Sequence, residues 1–164
     1  MSYLLLPGNS PRNKQWAHTL KKDLLKKGLD FEVIDWYHWE EGGPMQYTRE
    51  YKRVSDKLTP DSVVIAKSIG TRLIADILVK EGVQVDKLIM LGVPSQNKQY
   101  LHLLETMSSE SLVFIQNEHD PLQSHSKLEM FLEKSGKHFV LIKGGRDDHS
   151  YPFPDIISEQ IKAQ

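Results

Sequence analysis

Lys67-Ser68-Ile69-Gly70 stands between an apolar run ending at Ala66 and an amphipathic stretch beginning at Thr71. Ser68 is therefore flanked, two residues away on either side, by Ala66 and Gly70. A small residue at each flank suits a serine held in a sharp strand-to-helix turn, because bulk there would collide with the turn. The turn lifts Oγ clear of the backbone, and the first N–H groups of the helix point at the same spot. Such a serine is a nucleophile if a base reaches it; otherwise the pattern means only tight strand–helix packing. Two later segments carry suitable groups. Asp120 follows the apolar run Leu112–Gln116 and precedes Pro121, and His149 ends the loop Gly144-Gly145-Arg146-Asp147-Asp148-His149. Taken singly, Asp-Pro is a turn and a loop histidine is a surface residue. In the order Ser, Asp, His, each beyond a different apolar run, they are a set with which acyl transfer could be performed.

The elements that must position them can be read from periodicity. Tyr3–Leu6, Phe31–Asp35, Ser62–Ala66, Lys87–Leu91, Leu112–Gln116 and His138–Lys143 are short runs mostly rich in Val, Ile, Leu or Phe. They lack alternating polar positions, as strands covered on both faces do. Between them the spacing predicts helices over Trp16–Lys26, Thr48–Leu58, Thr71–Lys80, Tyr100–Met107, Ser126–Ser135 and Pro154–Lys162. Such alternation predicts an α/β fold: a three-layer α/β/α sandwich on a six-stranded, mainly parallel sheet, with residues 1–164 forming one domain. Ligands then gather at the carboxyl ends of the strands, where Ser68, Asp120 and His149 all fall.

With these pieces in place the chain resembles the α/β-hydrolase superfamily, in particular its minimal, lidless members: small bacterial lipases and the short serine hydrolases related to retinoblastoma-binding proteins. The resemblance implies Ser68 as nucleophile, His149 as base and Asp120, rather than the nearby Glu118, as the acid behind it. It also implies an oxyanion hole built from backbone N–H groups of Asn9, in the loop Leu6-Pro7-Gly8-Asn9-Ser10-Pro11, and of Ile69. Pro7-Gly8 stands where many relatives have His-Gly, a mild departure because the donor is backbone. The family's lid would fall between Gly92 and Ser111, where there is room for one short helix. An open site for small acyl substrates, esters above all, is the expectation. Trp36, Tyr37, Trp39 and Met45, with the turn at Pro94, are candidate pocket walls, and core packing is the competing reading of those aromatics. Lys67 is either solvated or leans over the pocket and favours anionic substrates.

Bulk properties bound the rest. Hydrophobic residues make up 39% and charged residues 26%, and the net charge is −1 with both signs interspersed. That gives no electrostatic footprint for nucleic acid or anionic membrane, and the resemblance implies a small-molecule acyl substrate as the partner. The absence of cysteine excludes disulfides, thiolate metal sites and a cysteine nucleophile. The N-terminus has no basic leader and its apolar run is too short for a signal peptide, which points to a cytoplasmic protein. No cofactor is expected. Two rivals remain: a metal-dependent hydrolase using His119, Asp120, His125, Asp147, Asp148 and His149, and a non-enzymatic protein-binding module on the same fold.

Overall fold

The computed structural model describes residues 1–163. Its strands are β1 (Tyr3–Leu6), β2 (Glu32–Val33), β3 (Val63–Lys67), β4 (Lys87–Leu91), β5 (Leu112–Asn117) and β6 (Val140–Gly144). Its helices are α1 (Arg12–Leu25), α2 (His38–Glu41), α3 (Tyr47–Ser55), α4 (Ile69–Glu81), α5 (Lys98–Thr106), α6 (His125–Glu133) and α7 (Pro154–Lys162). The strands form one sheet in the order β2-β1-β3-β4-β5-β6, and every pairing is parallel.

Successive side chains of a strand point to opposite faces, and the apolar runs use this to feed two cores at once. Leu4, Leu6, Val64, Ala66, Leu88, Met90, Leu112 and Phe114 pack under α3, α4, α5 and α6. Leu5, Val63, Ile65, Ile89, Leu91, Val113 and Ile115 pack under α1 and α7. The central strands β3, β4 and β5 are buried throughout, which is why their sequences show no polar alternation.

Two differences from the sequence reading bear on function. Lys67 is the last residue of β3 and α4 begins at Ile69, so Ser68 alone makes the turn between them. The segment after β2 forms a short helix, α2, which its Trp-rich sequence does not announce.

Candidate active site

Ser68 has φ 53° and ψ −118°, and it is the only non-glycine residue with positive φ among those described. That backbone costs an L-residue on the order of 1–3 kcal/mol, and over-determined surroundings hold it. Its N–H donates to Leu91 O at 3.0 Å, and its carbonyl accepts from the N–H and the hydroxyl of Thr71 at 2.9 and 2.6 Å. Gly70 shows why the flank must be small: a Cβ there would stand 2.6 Å from Leu6 O, so α4 could not seat against β1.

His149 lies across Gly92, the residue after Leu91. A Cβ on Gly92 would meet His149 Cε1 at 2.9 Å, which puts the imidazole next to the residue whose neighbour, Leu91, accepts the Ser68 N–H. Its Nδ1 is 2.6 Å from Asp120 Oδ2, so the ring donates from Nδ1 and leaves Nε2 as an acceptor. Nε2 is buried and has no hydrogen-bond partner, the Ser68 hydroxyl included. Asp120 is 3% exposed, and Oδ2 also accepts from the Tyr151 hydroxyl at 2.6 Å while Oδ1 accepts from Leu122 N–H at 2.9 Å. Burial would raise the Asp120 carboxyl, but these three hydrogen bonds outweigh it and hold the group below the usual carboxylate range. Burial drives the Tyr151 phenol far above its ordinary value, so it stays protonated and donates.

Tyr151 and Asn117 carry roles that the sequence reading missed. The wholly buried Tyr151 packs edge-on to His149 at 5.9 Å between centroids, and its oxygen accepts from Asn117 N–H at 3.1 Å. Asn117 Nδ2 donates to Asp148 O at 2.9 Å and Ser150 O at 2.7 Å, tying down the backbone on both sides of His149. Next to it, buried Gln116 bonds Val93 and Gln123, joining the loops after β4 and β5. A signal was present: two amides end an otherwise apolar run, where a buried polar group needs a partner.

The structure corrects one expected pocket residue, Trp36, and places the others. Trp36 is 1% exposed and belongs to the core, so it offers no wall to a ligand. The Tyr37 ring is covered by the guanidinium groups of Arg49 and Arg53, 3.8 and 4.0 Å from its centroid. Trp39 and Met45 pack against the same core, partly buried, and Pro94 is half-buried in the loop after β4. Asn9 is exposed, and Ile69 is half-buried in the first turn of α4. Among the described residues no three His, Asp or Glu side chains converge as metal ligands, so the acidic and histidine residues of the rival reading do not form a cluster.

Lys67 is not solvated. It is 5% exposed, donates to Asn13 Oδ1 at 2.6 Å, and lies 5.3 Å from the Trp16 ring centroid. Burial pushes its ammonium down to about 8 from 10.5, against the pull of Asp120 and Asp148. Between those values the unfolded chain binds the proton that the folded chain has lost, so folding stability rises with pH across that window. Lys67→Met is therefore expected to be more stable than the parent at pH 7 by about 2 kcal/mol, the burial penalty less one hydrogen bond. Urea titrations at pH 7 and 10.5 should show the gap closing, and a gap independent of pH would refute this account.

No protein-family model matches the chain, and no curated protein matches it in sequence. Solved structures do match. An uncharacterized protein from Bacillus cereus ATCC 10987 has a TM-score of 0.75 at 12% identity, covering 98% of this chain and 58% of that one. Alpha/beta hydrolase domain-containing protein 10 from mouse has 0.65 at 11%, covering 98% and 87%. A pyrethroid hydrolase from Sphingobium faniae JZ-2 has 0.63 at 12%, covering 98% and 95%. The chain spans a little over half the length of the first and most of the other two. It has the α/β-hydrolase fold in a compact form.

Proposed function

We propose that this protein is a serine hydrolase that cleaves a small, accessible acyl substrate, most simply a carboxylic ester, through an acyl-enzyme on Ser68. One observation carries the reading. Asp120 holds the His149 imidazole by Nδ1, leaving a buried acceptor nitrogen with no partner, and the ring packs on Gly92, next to the Leu91 carbonyl that holds the strained Ser68 turn. A buried polar atom without a partner costs roughly 1–3 kcal/mol, and accepting the serine proton would satisfy it.

As Ser68 Oγ attacks the carbonyl carbon, His149 Nε2 takes its proton, and Asp120 stabilises the imidazolium. The N–H groups of Asn9 and Ile69 bind the oxyanion of the tetrahedral intermediate. The intermediate collapses as His149 returns the proton to the leaving alcohol, and water repeats the cycle on the acyl-enzyme. The stretch from Gly92 to Ser111 holds α5 and short connections, which suits an uncovered site. Among the described residues no helix is long and apolar enough to cross a membrane. The proposal extends to a cytoplasmic setting, which the absence of cysteine fits.

A fluorophosphonate probe tests it. The folded protein should be labelled, and labelling should vanish in Ser68→Ala. An unlabelled wild-type protein would sink the hydrolase reading in favour of a binding module. Gly92 offers an independent check. It sits at φ +60°, and a Cβ there would stand 2.5 Å from Tyr151 Cε2 as well as close to His149. Gly92→Ala is expected to displace the imidazole and lower kcat by about 10²-fold, the scale of an ångström-sized misplacement. Hydrolysis of p-nitrophenyl acetate would read it, and an unchanged kcat in the folded variant would remove His149 from the reaction.

A further inference from the structure

Three ring N–H donors from one short segment converge on three consecutive carbonyls of the loop after β1. Trp36 Nε1 donates to Pro7 O at 3.2 Å and Gly8 O at 3.1 Å. His38 Nε2 and Trp39 Nε1 both donate to Asn9 O at 2.9 Å. A carbonyl oxygen only accepts, so His38 carries its hydrogen on Nε2, and its Nδ1 is left buried without a partner.

The peptide bonds of this loop are trans. In a trans peptide the N–H points away from the C=O of the same unit. The carbonyls of Gly8 and Asn9 are held by residues that follow β2, and β1 lies between β2 and β3. The opposite edge of the same two peptides carries the N–H groups of Asn9 and Ser10, on the side away from the three rings. From below, the Asn13 amide occupies the space that a Cβ on Gly8 would need, 2.7 Å away. Asn13 also donates to Ser10 O from its backbone N and Nδ2 at 2.9 and 3.0 Å.

We infer that Trp36, His38 and Trp39 are positioning residues that hold the peptides flanking Asn9 with their N–H groups turned toward Ser68, so that the oxyanion hole exists before substrate arrives. This rests on the hydrolase reading above and deepens it. Gly8 gives the loop freedom to flip, and a flipped peptide would aim a carbonyl, not a donor, at the developing negative charge. Rotating the two peptides would break three of the four bonds that the rings make, those to Gly8 O and Asn9 O. Electrostatic stabilisation depends on donors that need no reorganisation during the reaction, and this clamp supplies that rigidity from a segment with no contact to the reacting atoms.

The test is steady-state hydrolysis of p-nitrophenyl acetate by Trp39→Phe, His38→Phe, His38→Gln and the Trp39→Phe/His38→Phe double variant, with melting temperatures as a check on folding. Asn9 O keeps one donor in each single deletion, so kcat should fall only about 3- to 10-fold, with KM within twofold. The double variant should lose about 10²-fold in kcat, the lower end of the cost of one oxyanion donor. His38→Gln, whose amide nitrogen can stand near the imidazole Nε2, should recover most of the wild-type kcat, which a merely structural role would not predict. A folded double variant with wild-type kcat overturns the inference. If the double variant does not fold, Trp39→Phe, altered at a partly exposed ring, decides by the same criterion. A wild-type protein inactive on the ester removes the hydrolase reading and this inference together, whereas active wild type with equally active variants removes the inference alone.

Discussion

Replacing Ser68 by alanine is expected to lower kcat on p-nitrophenyl acetate roughly 10⁴- to 10⁶-fold, with melting temperature unchanged or raised. The chemical loss is large because Ser68 Oγ is the atom that carries the acyl group in the proposed reaction. The remaining groups, the N–H pair and the imidazole, can at best bind the ester and orient water, which leaves only a small residual acceleration. The change in stability should be small because Ser68 holds its turn through backbone atoms: its N–H to Leu91 O and its carbonyl to Thr71. Alanine strained at the same positive φ keeps those bonds. A folded variant retaining near-normal turnover would remove Ser68 from the chemistry, and with it the proposed reaction.

The second large effect belongs to Asp120. Asp120→Asn should lower kcat by about 10⁴-fold, as in comparable triads, while the fold survives. In the parent, Oδ2 accepts from His149 Nδ1 and from the Tyr151 hydroxyl. An asparagine that turns its NH₂ to this position faces two donors, and the imidazole escapes the clash by moving its hydrogen to Nε2. That tautomer cannot take a proton from Ser68. The carboxylate also contributes to stability. Its folded pKa lies below the ordinary value, so the contribution is present at neutral pH and is lost as pH falls through the folded value. Acid titration of Asp120→Asn should therefore show a shallower loss of stability below about pH 4 than the parent. Equal kcat in the two proteins would detach Asp120 from the base.

Strand content was legible because each central strand must supply two cores, so apolar residues run unbroken through its middle and the period-2 signal disappears. Element positions followed to within a few residues at most. The pattern around Ser68 was legible for a steric reason, since Gly70 has no room for a side chain beneath Leu6 O. What the sequence concealed were partners distant in the chain. Tyr151 reads as a spacer before α7, and only the folded chain shows its hydroxyl against Asp120. Trp36 reads equally as wall or core, because an indole suits both; its burial and its bonds to Pro7 and Gly8 decide for the core. Lys67 misleads for a similar reason. A lysine beside a turn is normally in water, and the one-residue turn instead places it at the end of a buried strand, against Asn13.

The chain has three tryptophans, and each indole N–H is bonded to a main-chain carbonyl beside the same rim: Trp16 to Tyr151, Trp36 to Pro7 and Gly8, Trp39 to Asn9. Intrinsic emission excited at 295 nm is thus a local gauge of the loops bearing Asn9 and His149, although it is collected from the whole molecule. A red shift would report those loops coming loose, and an unfolding curve followed by fluorescence would run ahead of one followed by far-UV circular dichroism wherever the rim melts before the sheet.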